Sequence, residues 1–210
     1  MRDLSLNKIT GSLYNSPTFS NTGPSSYIEL NTGSITDQYY KMVSDYHSNV
    51  NWGANPYSIE FWVNRYDGYY LMDMRSSTGN ANPYISFSSG QSNRLGYREQ
   101  GGVGMYFSVN TNQPSATDET WTGWRHYIIT REGTGSNELK LYYNGSVVST
   151  ATDDSTQTVP LKFTLGKRCD TDSAGLFKGR IGLFKIYTGN ALSAAEVLQN
   201  YNSTKARYGL

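Results

Sequence analysis

The chain has 210 residues and a formal net charge of +1, so it lacks the basic excess expected of a nucleic-acid-binding protein. Only 17% of the residues are charged, whereas 18 are tyrosines, a composition typical of strands and turns rather than of helical surfaces. No apolar run approaches the ~18 residues of a membrane span, and a single cysteine, Cys169, excludes an intrachain disulfide. No linker or repeat divides the sequence, and we predict one domain over residues 1–210.

Short runs of β-branched and aromatic residues alternate with turn residues and predict about twelve strands. In chain order the predicted strands are residues 26–31, 39–44, 57–64, 69–74, 84–88, 94–98, 105–109, 124–131, 138–143, 147–149, 162–165 and 180–187. Asn144-Gly145 predicts a tight hairpin after 138–143, because both central positions of such a turn need a positive φ. So many short strands predict an all-β sandwich of two antiparallel sheets.

One segment, residues 193–207, has helical rather than strand periodicity. Its apolar stripe consists of Val197, Leu198 and Tyr201. Ser193 and Glu196 are spaced as a capping box, and Leu192 can pack on Val197 as a hydrophobic staple. Gly209 is a typical stop signal. We therefore predict one short helix at about 193–207.

The acidic residues do not form the pattern expected of a glycosidase. Hydrolysis of a glycosidic bond usually requires two neighbouring carboxyl groups, but Glu29, Glu60 and Glu138 each stand alone in their predicted strands. His126 lies within a strand, which favours a packed or hydrogen-bonded role, and no Gly-x-Ser-x-Gly motif is present. We predict that the protein is not an enzyme, and a glycoside hydrolase assembled from distant loops is the least favoured alternative.

Two loops contain paired aspartates that could bind a hard cation such as calcium, Asp153-Asp154 and Asp170-Thr171-Asp172. The same spacing is common in solvated turns. We predict no cofactor and no metal site, with calcium at Asp170 and Asp172 as the alternative.

Clustered aromatic residues predict a binding role. Aromatic faces bury apolar C–H surface while a tyrosine hydroxyl keeps its hydrogen bond, which suits both sugars and wet protein interfaces. The candidate binding residues, for a glycan or a protein partner, are Tyr66, Tyr69, Tyr70, Tyr97, Arg98 and Trp52. The alternative is that these side chains cover the edges and strand ends of the sandwich.

Four stretches carry a family resemblance: residues 3–20 (DLSLN…GSL…PTFS), 57–64 (YSIEFWVN), 124–145 (WRHYIITR…LKLYYNG) and 177–210 (FKGRIG…ALS…NYN…GL). Together they resemble the laminin-G-like branch of the concanavalin A-like jelly rolls. The resemblance implies a two-sheet antiparallel jelly roll that serves in binding or structure. The last stretch is similar to the endings of tailed-bacteriophage virion proteins.

The resemblance implies a non-enzymatic bacteriophage virion protein, either a capsid decoration or a neck or tail appendage, with other virion proteins in many copies and cell-surface glycans as partners. The alternative is a free lectin-like carbohydrate-binding module. Residues 1–5 lack the apolar stretch of a signal peptide. We therefore expect synthesis in the host cytoplasm and localisation in the virion, with no nucleic-acid partner and no membrane span.

Members of this branch carry a further strand before the DLS segment, near the strand that corresponds to residues 180–187. Here Met1 lies almost directly before Asp3. We expect an open sheet edge that a neighbouring subunit completes, or, as the alternative, that Leu4–Thr10 fills the gap.

Overall fold

A computed structural model describes residues 11–20, 25–34, 36–42, 54–75, 83–88, 94–98, 104–108, 123–156, 162–169 and 175–210. Its strands are β1 (Gly11–Tyr14), β2 (Thr18–Ser20), β3 (Tyr27–Leu30), β4 (Tyr39–Met42), β5 (Tyr57–Gly68), β6 (Tyr70–Asp73), β7 (Tyr84–Ser88), β8 (Arg94–Arg98), β9 (Gly104–Ser108), β10 (Arg125–Arg131), β11 (Leu139–Tyr143), β12 (Ser146–Ala151), β13 (Thr164–Leu165) and β14 (Phe177–Thr188). A helix, α1 (Ala194–Thr204), and a 3-10 turn (Lys205–Tyr208) follow.

The strands form two seven-stranded sheets, in which all neighbours are antiparallel. Sheet A has the order β1-β4-β13-β6-β7-β8-β9, and sheet B has the order β12-β11-β10-β5-β14-β3-β2. The predicted two-sheet sandwich is therefore confirmed. The sequence did not predict β1 and β2, which are short and expose part of their length.

The core lies between the two sheets and follows from period-two alternation along their strands. On the central strand β5, the side chains of Tyr57, Ile59, Phe61 and Val63 all point inward and are buried. The Tyr57 hydroxyl meets that of Tyr97 from sheet A at 2.5 Å, so the two sheets share a buried polar contact. This pairing satisfies both hydroxyls within the core.

The hairpin and the helix form as the sequence predicts. Asn144 and Gly145 adopt φ values of 47° and 85°, and they link β11 directly to β12. Both hydrogen bonds of the capping box between Ser193 and Glu196 are present. Gly209 adopts the left-handed conformation after the 3-10 turn, at a φ of 78°.

Helix α1 packs on the outer face of sheet B. Val197 and Leu192 are buried together against Ile128 and Tyr142. Leu198, which the apolar stripe predicts to be buried, is instead 47% exposed. The apolar stripe of the helix is therefore wider than the surface that it buries against sheet B, which includes Val197 but leaves Leu198 part-exposed. No helix in the described part of the chain is long and apolar enough to cross a membrane.

Strand β14, near which the sequence predicts an open sheet edge, is flanked by two strands over only part of its length. It pairs with β5 from Phe177 to Thr188 and with β3 over residues 179–181. Beyond Ile181, pairing in the described part of the chain is with β5 alone. The alternative filler, Leu4–Thr10, lies outside the described residues, so completion of this edge stays a prediction.

Candidate binding face

The outer face of sheet B is occupied by the C-terminal helix. The indole of Trp62 stacks on Tyr208 at 4.3 Å between ring centroids and on Tyr201 at 6.1 Å. Its Nε1 donates a hydrogen bond to the Thr204 hydroxyl at 3.0 Å. The part of this face around Trp62 therefore belongs to the internal packing of the protein.

The outer face of sheet A has no described helix or strand packed over it. Cross-strand register places one row of residues along it, which we call the sheet A row: Ser12, Lys41, Thr164, Asp73, Tyr84, Arg98 and Gly104. The neighbouring row, Leu13, Tyr40, Leu165, Met72, Ile85, Tyr97 and Met105, faces the core. The alternation separates a polar and charged outer row from an apolar inner row.

At one end of this face, two tyrosine rings stack in parallel. Tyr14 of β1 and Tyr39 of β4 lie directly opposite each other in the register, with ring centroids 4.5 Å apart and an interplanar angle of 5°. Tyr14 is 40% exposed. The Lys167 ammonium lies 4.6 Å from the centroid of the Tyr39 ring and 2.7 Å from the Asp37 carboxylate. An aromatic surface thus stands beside a cation and an anion.

Further along the face, an arginine lies over two more tyrosines. The Arg75 guanidinium is 4.7 Å from the Tyr70 ring centroid and 4.9 Å from that of Tyr84. It also forms a buried ion pair with Asp73. Burial alone would lower the pKa of Arg75, but the hydrogen bonds and charge of Asp73 outweigh it and raise that pKa. Arg75 therefore remains a fixed cation.

The centre of the face is closed by its own side chains. Thr164 is buried and donates a hydrogen bond to the Lys167 carbonyl at 2.6 Å. The Cys169 thiol donates to the Asp73 carbonyl at 2.9 Å. Accessible groups consequently lie on either side of this centre, where Lys41 and Tyr84 are part-exposed.

The predicted cluster of Tyr66, Tyr69 and Tyr70 is split by the fold. Tyr66 lies on sheet B, where the Arg180 guanidinium is 5.4 Å from its ring centroid. The chain then crosses to sheet A at Gly68, whose φ of 86° and close approach to the Leu176 carbonyl leave no room for a Cβ. Tyr69 and Tyr70 therefore lie at the start of β6, with ring centroids 4.5 Å apart.

The remaining predicted binding residues, Tyr97, Arg98 and Trp52, do not form one site in the described structure. Tyr97 is fully buried, so its side chain belongs to the core and not to a surface site. Its neighbour Arg98 pairs with Tyr84 in the register of the sheet A row, and its side chain lies outside the described residues. Trp52 lies outside the described residues, so its predicted role is open.

The aspartate loops give no cation site among the described residues. There is no group of three or more His, Cys, Asp or Glu residues in this part of the chain that could hold a metal ion. Asp153 is fully buried and paired with Arg131, with 3.0 Å between Oδ2 and Nε. A guanidinium thus occupies the place that the sequence left open to calcium. Asp170 and Asp172 lie outside the described residues.

A carboxylate and an imidazole meet beneath the helix. Glu60 Oε1 lies 3.1 Å from His126 Nε2, and Glu60 Oε2 accepts hydrogen bonds from the Tyr187 hydroxyl at 2.6 Å and from the Asn200 amide at 3.1 Å. Burial opposes ionisation of Glu60, but the hydrogen bonds from His126 and Tyr187 outweigh it and lower its pKa. Glu60 and His126 are both buried, which closes the pair to a substrate.

The sequence patterns did not single out Tyr14 or Tyr39 as candidate binding residues. Residues 14 and 39 are far apart in the sequence, and only strand pairing makes them neighbours. The adjacent Tyr39-Tyr40 pair does contain a usable signal, because alternation requires one of the two rings to face outward.

The family model described as the concanavalin A-like lectin/glucanases superfamily matches residues 25–198. The chain belongs to this superfamily. A search of curated protein sequences finds no match.

Solved structures give the same fold at low identity. The binding domain of botulinum neurotoxin DC, in complex with rat synaptotagmin II, matches with a TM-score of 0.72 and 16% identity over 97% of this chain. A second structure is described by the statement that cell entry of botulinum neurotoxin type C depends upon interaction with two ganglioside molecules. It matches with a TM-score of 0.72 and 17% identity over 97% of this chain. The binding domain of Paraclostridial Mosquitocidal Protein 1 matches with a TM-score of 0.65 and 19% identity over 96% of this chain.

This chain spans about half of those structures, covering 48%, 48% and 49% of their respective lengths. At such identity the likeness shows the jelly-roll fold alone. These neighbours are toxin domains, and they give no support to the expected phage origin.

Proposed function

We propose that this protein is a non-enzymatic carbohydrate-binding module that holds glycans on the outer face of sheet A. The observation that carries the proposal is the stacked Tyr14–Tyr39 pair, part-exposed on the sandwich face that the helix leaves uncovered. Aromatic rings pack against the C–H face of a sugar, while nearby charged groups accept or donate hydrogen bonds to its hydroxyls. The Asp37 carboxylate, whose side chain is 40% exposed, stands where such bonds would form.

Two further points support this proposal. The superfamily to which the chain belongs contains lectins. The cell entry of a structural neighbour, botulinum neurotoxin type C, depends upon interaction with two ganglioside molecules, so a protein that contains this fold interacts with a sugar-bearing lipid.

The proposal of a binding protein rather than a hydrolase rests on the carboxylates. Hydrolysis needs an acid and a base or nucleophile about 5–9.5 Å apart around the substrate. On the sheet A face Asp73 is neutralised by Arg75, and Asp37 is paired with Lys167. Glu60 is covered by the helix. These three carboxylates are thus engaged with a cation or covered by the helix, which favours a binding role over hydrolysis.

The narrower role of a bacteriophage virion component, such as a capsid decoration or a neck or tail appendage, remains a second proposal, and it rests on the resemblance of the chain's ending. In the structure, the residues of that ending cap and pack the helix: Leu192, Ser193, Glu196 and Tyr201. Their role in folding is sufficient to explain why these residues are present, whether or not the protein is part of a virus particle. Multiple copies would raise the avidity of weak glycan binding, and the copy number of the chain in purified particles tests this role.

A glycan array probed with an oligomerised form of the chain tests the main proposal. We expect the wild type to bind, and the Tyr14→Ala, Tyr39→Ala double variant to lose most of the signal. Phe19→Ala is the matched control, because Phe19 is a 51% exposed aromatic on β2 of sheet B. Absence of binding, or equal loss in the control, contradicts the proposal.

A further inference from the structure

The C-terminal helix does not cover the whole outer face of sheet B. Glu29 of β3 and Arg180 of β14 lie directly opposite each other in the register and form an ion pair, with 2.8 Å between Oε2 and Nε. Their neighbours Ile28, Leu30 and Ile181 face the core, so alternation directs this pair to the outer face. The side chains of Glu29 and Arg180 are 19% and 33% exposed, so solvent reaches both.

Aromatic rings lie on both sides of this ion pair. The Arg180 guanidinium is 4.7 Å from the ring centroid of Tyr27 and 5.4 Å from that of Tyr66. In the register, Tyr27 lies on the C-terminal side of Arg180 along β14, and Tyr66 lies on its N-terminal side. Trp124 extends the aromatic surface beyond Tyr27, with 5.8 Å between their ring centroids. All three rings are part-exposed.

The polar groups between the rings are held in place and can still form further hydrogen bonds. In the described part of the chain, the Arg180 guanidinium donates a hydrogen bond through Nε alone, so its terminal N–H groups can donate to a ligand. The Thr32 hydroxyl donates to Oε1 of Glu29 and helps to fix that carboxylate. An ionised carboxylate has about four lone-pair sites, so Glu29 can accept more bonds than these two.

The charge and the chemistry of this patch indicate the class of ligand that it suits. Arg180 and Glu29 neutralise each other, so the pair does not favour a ligand with a net charge. Fixed hydrogen-bond donors and acceptors beside aromatic rings match the hydroxyl groups and the apolar C–H faces of a sugar. An uncharged saccharide therefore fits both properties.

From this arrangement we propose that Tyr27, Glu29, Tyr66 and Arg180, the sheet B site, bind an uncharged saccharide, and that one chain cross-links glycans through its two outer faces. This inference rests on the proposed function, which supplies the first site on sheet A. The two sites face in opposite directions across sheets that pack about 10 Å apart, so a short saccharide bound at one does not reach the other. One monomer would therefore join two glycan-bearing surfaces.

Precipitation of glycoproteins by the monomeric chain tests the inference. The probes are serum albumin conjugates that each carry many copies of lactose, maltose, mannobiose or chitobiose, together with a conjugate of the neutral glycan that binds best on the array. Sedimentation first establishes conditions in which the chain is a monomer. We expect at least one conjugate to bind and to precipitate, and the free sugar to reverse the precipitation. In equilibrium dialysis, that free sugar should saturate at two molecules per chain.

Variants locate the second site. Tyr66→Ala, and the double variant Tyr66→Ala, Arg180→Met, should still bind the immobilised conjugate through sheet A, which also shows that they are folded. Their rate of precipitation should fall by at least about tenfold. Phe19→Ala is the matched control and should precipitate the conjugate as the wild type does. Phe19 is an aromatic on the same sheet that is 51% exposed, but it pairs with the core residue Ile28 and so lies outside the row of Arg180.

The outcomes separate this inference from the proposed function. Binding without precipitation, saturation at one saccharide per chain, or precipitation that Tyr66→Ala leaves unchanged overturns the second site but leaves glycan binding on sheet A intact. Precipitation that the free sugar does not reverse also overturns it, because protein contacts would then link the conjugates. Loss of all binding in Tyr66→Ala overturns cross-linking and the assignment of the first site to sheet A. Failure to bind any saccharide, here and on the array, overturns the proposed function itself.

Discussion

Trp62 and Thr204 join the centre of sheet B to the end of the helix: the indole Nε1 donates to the threonine hydroxyl at 3.0 Å, and that hydroxyl donates to the Asn200 carbonyl at 2.7 Å. The indole also stacks on Tyr208. One side chain of the central strand thus holds the helix by a hydrogen bond and by ring contact.

We predict that Trp62→Phe lowers the free energy of unfolding by about 1–3 kcal/mol, because it removes the buried hydrogen bond and part of the stacked area. Urea denaturation measures the change. Thr204→Val removes the hydrogen bond alone and should cost less. If both single variants and the double variant unfold as the wild type does, the helix is not held by this contact.

The buried carboxylate under the helix should make stability depend on acid pH. The pKa of Glu60 is lowered in the folded state, so its ionised form stabilises the fold above the ordinary glutamate pKa, and the benefit disappears as pH falls through the lower, folded value. Glu60→Gln should reduce the free energy of unfolding by about 2–4 kcal/mol at neutral pH. The gap to the wild type should narrow below about pH 4.5.

Denaturation of both proteins at several pH values between about 3 and 7 tests this pH dependence. Glu132→Gln is the control, because the Glu132 side chain is 47% exposed. A gap that stays constant through the acid range would show that the ionisation of Glu60 does not contribute.

The buried ion pair of Arg131 and Asp153 should be costly to break from one side. Their side chains are 1% and 0% exposed, and Arg131 also donates to the Ser155 carbonyl. Removal of one partner leaves the other as a buried charge without an ion pair. We therefore expect Asp153→Asn and Arg131→Met each to lower the free energy of unfolding by about 3–5 kcal/mol. The double variant should lose less than the sum of the two.

Exposure supplies the control for that prediction. The Lys140–Glu132 pair has side chains that are 29% and 47% exposed. Neutralising Lys140 with Lys140→Gln should cost less than about 1 kcal/mol. Similar losses at both pairs would mean that burial does not decide the outcome.

The thiol of Cys169 should react slowly in the native protein. Burial, together with the charge of Asp73, raises the pKa of this thiol to about 12. Thiolate is the reactive form and would be on the order of one molecule in ten thousand at pH 8. Maleimide labelling should therefore be slow in buffer and fast in urea, with Cys169→Ser as the blank. Fast labelling of the folded protein would contradict this environment.

The sequence predicted local structure correctly wherever residues close together in the chain determine the conformation. Alternation from Tyr57 to Val63 is sufficient to define a buried face of one strand. Asn144-Gly145 specifies its hairpin because few other residues tolerate positive φ at both positions. Ser193 and Glu196 cap the helix through bonds made within a single turn. The two-sheet sandwich and the C-terminal helix follow from such signals.

Pairing between distant segments was decided only by the tertiary structure. Alternation shows that Tyr97 and Arg98 face opposite ways, but only the position of their strand in sheet A shows that Tyr97 faces the core. Tyr14 and Tyr39 become neighbours through register, which depends on the packing of both sheets and not on either segment alone. Most elements of this protein were therefore predictable from local conformational preference, although β1 and β2 were not. The proposed binding face depends instead on long-range pairing, whose free energy is shared by many residues.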